Sequence, residues 1–395
     1  MSTSSGYYVA GTFYGTFDFG GGPRTSAGSA DGVLIAYTPA GSHRWDRTYG
    51  GTRADALLDI AADASGNVVV LERESTGTGT NDAIVRKLDA SGTELWARRY
   101  GTDVSPFDVV VDSTGIITVV GYLFDTTDFG GGARTAAGTG NDIFVLSLAS
   151  DGSYRWDRTF DGGGTWDAGY AVAADESGNV YVGGEIGAQA DFGGGPTPSY
   201  PGGAFVASFT REGAHRWDRS FGSTQPDSVS SIAVSQLGDV VVGASFGGSV
   251  DFGGGTRTSA AFVDGVVWVL GTDGSYRWDR VYRGATDNER VDGVSVDCAG
   301  NIVATGMFTG SVDFGGGARS SAGNRDVFVV SLTRAGAYRW DRTYGGTGAD
   351  RGLESVITNA GRVLVTGSFS NTANFGGASR SSAGGTDAFV LELAD

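Results

Sequence analysis

Cysteine, histidine and proline are scarce in this 395-residue sequence, which has one cysteine, two histidines and seven prolines. The single cysteine, Cys298, excludes an intramolecular disulfide, and we expect it buried or half-buried in a turn between two strands. The histidines, His43 and His215, occupy one slot of a repeat in different copies, a slot filled elsewhere by tyrosine. A shared histidine metal site and a Ser/His/Asp triad are therefore not expected.

Positive charge and long apolar runs are also lacking. The formal net charge is −17, which argues against nucleic-acid phosphates and anionic lipid surfaces as partners. No run approaches the ~18 apolar residues of a membrane helix, so no membrane insertion is expected. The start, MSTSSGYYVA, lacks the basic and apolar regions of a signal peptide, so either the protein is cytoplasmic or a signal has been removed.

Glycine, by contrast, is abundant, at 69 residues, about 17% against the usual ~7%. The sequence also repeats itself at intervals of about 60 residues. A tryptophan marks one phase of the repeat, at Trp45, Trp96, Trp156, Trp217, Trp278 and Trp340. A second marker, Asp-Phe-Gly-Gly-Gly, begins at Asp18, Asp128, Asp191, Asp251 and Asp313.

Each repeat reads as four short strands, such as DAGYAVAAD, GNVYVGGEI, GAFVASF and HRWDRSFG. Four-stranded units repeated in this way are typical of β-propeller blades. The prediction is an all-β, seven-bladed propeller that forms a single domain over residues 1–395. The chain starts on a second strand and stops on a third, so one first and one fourth strand are expected to be missing. Six blades plus an extra hairpin is the alternative.

The pattern resembles the bacterial SBBP β-propeller repeats in AVAADESGNVYVGG, VDFGGGTRTSA, DIFVLSL and YRWDRTF. This resemblance implies a propeller in a secreted or cell-surface protein, without a shared catalytic constellation. The Gly-then-Trp step in DASGTELW also looks like the tryptophan-docking repeats of quinoprotein dehydrogenases. Only the scaffold carries over from that second likeness, because the cofactor and metal residues of those enzymes are not found here.

Recurring residues are interpreted as scaffold. The tryptophan of Arg-Trp-Asp-Arg is expected to pack between neighbouring blades, and Arg155 and Asp157 to pair laterally on an outer edge. The phenylalanine of Asp-Phe-Gly-Gly-Gly is expected to anchor its loop, although consecutive glycine amides could instead form an anion nest.

An acidic residue also recurs before the first strands, at Asp55, Asp167, Asp227, Glu289 and Asp350. These carboxylates would ring one mouth of a channel if the first strands line it. They would then attract Ca²⁺ or a cationic partner, or serve a lyase or hydrolase as acid and base. The structural alternative is that each accepts hydrogen bonds from the backbone of the adjacent turn.

Departures from the repeat are where function is expected. Trp166 has no counterpart in the other copies, and the long loop of its repeat reads PTPSYPGG. Trp166, Asp167 and Tyr200 are thus the candidate ligand-binding residues, as an aromatic and carboxylate receptor for a sugar ring. Trp268, which is also unrepeated, is expected to be a packing residue.

The sequence favours a non-enzymatic binding or adhesion module, such as a lectin-like module, with a glycan or a protein as ligand. The alternative is a scaffold or assembly subunit that makes protein contacts, as an oligomer, through its incomplete blades. An enzyme with carboxylates at the channel mouth ranks third. No catalytic residue, metal site or cofactor is assigned, Ca²⁺ being the one ion considered.

Overall fold

The computed structural model describes residues 2–3, 6–77, 81–101, 103–164, 166–260, 262–284, 288–358, 360–377 and 379–394. These residues form strands and turns, and none of them lies in a helix, so the described chain has no helix able to span a membrane. The protein is therefore all-β, as the repeat pattern predicts.

The strands follow one another in seven groups. The first three groups comprise β1 (Ser2–Thr3), β2 (Gly6–Phe13), β3 (Thr16–Asp18), β4 (Pro23–Thr25), β5 (Asp31–Tyr37) and β6 (His43–Tyr49); β7 (Ala56–Ala62), β8 (Val68–Ser75), β9 (Asn81–Leu88) and β10 (Glu94–Tyr100); β11 (Val104–Val111), β12 (Ile117–Leu123), β13 (Thr126–Asp128), β14 (Ala133–Thr135), β15 (Asp142–Leu148) and β16 (Tyr154–Phe160).

The remaining groups comprise β17 (Ala168–Ala174), β18 (Val180–Ile186), β19 (Gly203–Phe209) and β20 (His215–Phe221); β21 (Ser228–Val234), β22 (Asp239–Phe246), β23 (Ser249–Asp251), β24 (Thr256–Thr258), β25 (Asp264–Gly271) and β26 (Tyr276–Tyr282); β27 (Arg290–Val296), β28 (Ile302–Phe308), β29 (Ser311–Asp313), β30 (Ala318–Ser320), β31 (Asp326–Leu332) and β32 (Tyr338–Gly346); β33 (Arg351–Ile357), β34 (Arg362–Asn374) and β35 (Ser379–Ala394).

Each of the first five groups contains a four-stranded sheet with its long strands in chain order, and the long strands of the sixth group form one seven-stranded sheet with the last group, because β32 pairs with β34. In the first sheet the two-residue β1 stands where the other sheets have a full first strand. The last group contributes β33, β34 and β35, and within the described residues it has no fourth strand of its own. The last sheet agrees with the expectation of a missing fourth strand, whereas the first sheet has a short first strand, β1, which pairs with β2.

By its internal contacts the chain divides into two compact units. The first comprises residues 1–182, 189–196 and 208–215, and the second comprises residues 183–188, 197–207 and 216–395. In both units the apolar residues of consecutive sheets pack against each other. Val69 and Leu71 of the second sheet share a buried cluster with Val109 and Val119 of the third.

Tryptophan docking connects consecutive repeats. The Trp156 Nε1 donates a hydrogen bond to the Arg211 carbonyl oxygen, at 2.8 Å, in the turn before β20. Gly213 of that turn has φ +79°, and a Cβ built on it would lie 2.7 Å from Trp156. Only glycine brings the turn this close to the indole. The same contact recurs for four more pairs: Trp45 with Gly92, Trp96 with Gly152, Trp217 with Gly274, and Trp278 with Gly336.

The lateral pairing predicted for Arg155 and Asp157 is wrong. Asp157 is buried, and both of its carboxylate oxygens accept from Arg134 Nε, at 2.8 and 2.9 Å. Arg155 instead donates to the Ser147 hydroxyl and to the Arg211 carbonyl. The glycine-rich segment between the second and third strands therefore supplies Arg134 as the cation for the buried Asp157 carboxylate. No spacing within the fourth strand could reveal this pair.

Four of the five Asp-Phe-Gly-Gly-Gly segments are small hairpins rather than plain loops, and the segment at Asp191 has a single isolated bridge to Pro196. Within β13 and β14, the Asp128 Oδ1 accepts the amides of Gly130 and Gly132, so the loop's own carboxylate occupies those glycine N–H groups. The phenylalanine is an anchor as predicted, and four copies are at most 3% exposed: Phe129, Phe192, Phe252 and Phe314.

Two further expectations concern single residues. Trp268 is buried and packs on the rings of Phe221 and Phe252, which confirms its packing role. Cys298 lies in a turn between strands, but its side chain is exposed, so the prediction of burial is wrong.

Candidate functional site

Trp166 is the exposed residue of an aromatic cluster in the first compact unit. It lies two residues before β17, and 45% of its surface is exposed. Its indole centroid lies 5.3 Å from that of Tyr122 on β12, and its Nε1 donates to the Tyr170 hydroxyl at 2.7 Å. Phe107 on β11 contacts both tyrosine rings, at 5.7 and 5.1 Å. We call these four residues the aromatic platform.

The platform consists of departures from the repeat. Tyr170 and Phe107 occupy one position of the first strand, and the other copies carry Leu58, Ser230, Asp292 and Leu353 there. Tyr122 stands where the next repeat has Glu185. Sequence reasoning found Trp166 but missed its three neighbours, because it did not establish which strands of successive repeats lie side by side.

The other two residues of the predicted ligand site are placed differently. Asp167 is fully buried, and its Oδ2 accepts the Gly162 amide at 3.1 Å, so its carboxylate does not stand exposed beside the indole. Tyr200 belongs to the second compact unit, where it is half-buried and its ring lies against Gly203 and Gly222. A site shared by Tyr200 and Trp166 stays a prediction.

All five residues of the acidic ring are buried, with at most 2% exposure. In four of them the two carboxylate oxygens accept amides from two segments, the turn before the first strand and the end of the second strand. The pairs of donors are Gly51 and Ser75 for Asp55, Ser223 and Gly247 for Asp227, Gly284 and Thr309 for Glu289, and Gly346 and Ser370 for Asp350. These contacts are those of the structural alternative. An additional role in attracting a cationic ligand stays a prediction.

Burial has an electrostatic consequence for this ring. It raises the pKa of Asp227 to about 6 despite the hydrogen bonds from Gly247 and Ser223. Burial also raises the pKa of Glu289 and of Asp350. Desolvation disfavours the charged form, and the backbone amides restore only part of the lost hydration.

A second carboxyl pair, Asp59 and Asp108, was not found from the sequence, although Asp108 directly follows Phe107 of the platform. The two side chains are hydrogen-bonded, and burial is the largest influence in raising the pKa of Asp59. Each carboxylate also reaches the next first strand, where Asp59 accepts the Val109 amide and Asp108 the Val172 amide. The pair thus joins three consecutive first strands.

Each histidine contacts residues of its own repeat. The His43 Nε2 lies 2.9 Å from the Asp46 Oδ2, and His215 packs its ring against Phe209. Tyr276 and Tyr338 make the equivalent contact to Asp279 and Asp341 through their hydroxyls.

Comparison with known proteins gives little. No family model matches the chain, and no curated protein matches it. Among solved structures, puromycin hydrolase is similar with TM-score 0.38 and 14% identity over 88% of this chain, and a mutant of puromycin hydrolase complexed with PGG has TM-score 0.40 and 13% identity over 88%. The chain spans about half, 49%, of those hydrolase chains.

A eukaryotic initiation factor is similar with TM-score 0.33 and 9% identity, over 87% of this chain and 86% of its own. Since each TM-score is below 0.5, none of these similarities supports a function for this chain.

Proposed function

We propose that this protein is a non-enzymatic binding module that takes a sugar ring, or a similar flat apolar face, on the aromatic platform. The observation that carries the proposal is the clustering of Phe107, Tyr122, Trp166 and Tyr170 around one exposed indole. The scaffold does not need this cluster, because the sibling repeats fold with Leu58, Ser230 and Asp292 at the same strand position.

The chemistry of the platform suits a carbohydrate. A sugar presents apolar C–H faces that stack on indole and phenol rings, while its hydroxyls pair with phenolic oxygens at the edge. The net charge of −17 disfavours anionic glycans at low ionic strength.

A glycan array tests the proposal. The labelled full chain is applied with calcium and with chelator, beside Trp166→Ala and the control Tyr14→Ala, which removes an aromatic ring that is 73% exposed. We expect specific binding that Trp166→Ala abolishes and Tyr14→Ala retains. Binding by both variants would refute the assignment to the platform, and no binding by the wild-type protein would refute the glycan as ligand.

The arrangement of the strand groups as propeller blades is part of the same proposal. We take the seven groups of strands to be blades of one β-propeller over residues 1–395, secreted or at the cell surface. The recurring sheets with turns such as Asp175 to Asn179, and the resemblance to SBBP repeats, support this.

Assembly through the last sheet is the second candidate function. Val390 on β35 is 54% exposed, whereas Val85, Val145 and Val329 at the same position of sibling third strands are at most 1% exposed. A further strand or repeat from another chain would cover this face.

Mass in solution across a range of concentrations tests the assembly. An oligomer that Val390→Lys dissociates, and that Leu237→Lys at another exposed apolar residue leaves intact, would support it. A monomer at every concentration would refute it.

A further inference from the structure

A pair of carboxyl groups recurs where the third strand begins. Each pair joins a residue of the acidic ring to the aspartate that starts the third strand of the preceding repeat. Four such pairs lie close enough to interact: Asp31 with Asp55, Asp142 with Asp167, Asp264 with Glu289, and Asp326 with Asp350.

In each pair the third-strand aspartate has one satisfied oxygen and one orphaned oxygen. The Asp142 Oδ2 accepts the Ala137 amide at 3.0 Å. Its Oδ1 is buried and has no hydrogen-bond partner among the described residues, although the residue is only 4% exposed. Such an oxygen is costly unless a proton or a cation compensates it. The same oxygen is orphaned in Asp31, Asp264 and Asp326.

One position of the repeat faces these pairs. It is the residue that follows the last aromatic residue of the fourth strand. Where it is glycine, as at Gly50, a Cβ built on it would lie 2.6 Å from the orphaned Asp31 Oδ1 and 3.0 Å from Asp55. Where it is Arg283, its guanidinium lies 3.6 Å from Asp264 and supplies a cation. This position therefore determines the charge that the carboxyl pair meets.

In one repeat the position is an aspartate. Asp161 adds a third carboxylate to Asp142 and Asp167, and one oxygen from each of the three lies within 4.8 Å of the others. Asp161 is exposed, so the cluster has a route to solvent.

We propose that Asp142, Asp161 and Asp167 bind one Ca²⁺ ion. Three converging carboxylates without sulfur or imidazole are donors that hard cations prefer, and Ca²⁺ completes its 6–8 oxygen ligands with backbone carbonyls and water. The ion supplies the compensation that the orphaned Asp142 oxygen otherwise lacks. Because Trp166 precedes Asp167, the bound ion also holds the connection that carries the indole. The site stands on its own whether or not the platform binds a glycan.

Calorimetric titration of CaCl₂ into the chelator-treated full chain tests this site. The key variant is Asp161→Asn, and the matched control is Asp125→Asn, since Asp125 is likewise exposed and likewise accepts a nearby backbone amide. We expect one equivalent of Ca²⁺ bound by the wild-type protein and by Asp125→Asn, with affinity at least tenfold weaker in Asp161→Asn. A rise in thermal midpoint with calcium should follow the same order.

Asp161→Gly is the control for a folding defect, because sibling repeats have glycine at this position, at Gly50, Gly222 and Gly345. It should fold normally and lose the calcium response. No heat of binding in the wild-type protein, equal affinity in Asp161→Asn, or binding of Mg²⁺ but not Ca²⁺ would each overturn the proposal.

Discussion

The tryptophan docking contact predicts that an alanine substitution destabilises the protein more at Gly213 than at the equivalent glycine of another repeat, Gly41. Gly213 and Gly41 occupy the equivalent turn in two different repeats, with φ +79° and +78°. Each donates its amide to a threonine carbonyl. They differ in their surroundings. A Cβ on Gly213 would meet Trp156 at 2.7 Å, whereas within the described residues no heavy atom lies within 4 Å of one on Gly41.

The magnitudes follow from this difference. Alanine with positive φ costs about 1–2 kcal/mol in either turn. At Gly213 the methyl group must also displace the indole or the turn, which adds about 1–3 kcal/mol as in other overpacked sites. We therefore expect Gly213→Ala to lower the free energy of unfolding by about 2–5 kcal/mol and Gly41→Ala by about 1–2 kcal/mol.

Urea denaturation followed by tryptophan fluorescence measures both losses, with unchanged m-values as the check that the comparison is valid. A difference between the two variants below about 0.5 kcal/mol would be within the error of additivity. Equal losses would refute the inference that the indole makes glycine necessary at position 213.

Two further predictions concern buried carboxylates. The folded pKa of Asp227, about 6, exceeds the ~3.9 of an unfolded aspartate, so its contribution to stability is complete below pH 4 and is lost as the pH rises through 6, by at most about 3 kcal/mol. Urea unfolding of Asp227→Asn from pH 4 to 7 should lack that part of the wild-type slope, and parallel curves would contradict it. Arg134→Ala should lower the free energy of unfolding by about 1–3 kcal/mol, since it leaves Asp157 buried without its guanidinium. An unchanged urea midpoint would show that the pair is dispensable.

Local chemistry made much of the architecture predictable. The turn at Asp175 could be predicted because an aspartate side chain accepts the amides two and four residues later, and Asp175 accepts the amides of Ser177 and Asn179 in the structure. The strands and the buried phenylalanine anchors could also be predicted from local sequence patterns. The hairpin inside the glycine-rich segment was missed, since its short strands, such as β13, carry little apolar pattern.

Contacts between distant segments could not be read from one sequence. Arg134 and Asp157 are 23 residues apart, and only the folded hairpin brings the guanidinium over the carboxylate. Trp166 was identified because it breaks the repeat, whereas Tyr122 was not, because its contact with the indole depends on how neighbouring sheets face each other. Asp161 was overlooked for the same reason, since its charge matters only beside Asp142.

The central claim is that recurring residues build the scaffold while the platform around Trp166 recognises the ligand. Its most direct test is the dissociation constant of the best array glycan, measured by calorimetry for the wild-type protein, Trp166→Phe and Trp166→Ala. The account predicts at least tenfold weaker binding for the alanine variant and near wild-type binding for the phenylalanine variant, both of which remain folded. Wild-type affinity in Trp166→Ala would contradict it.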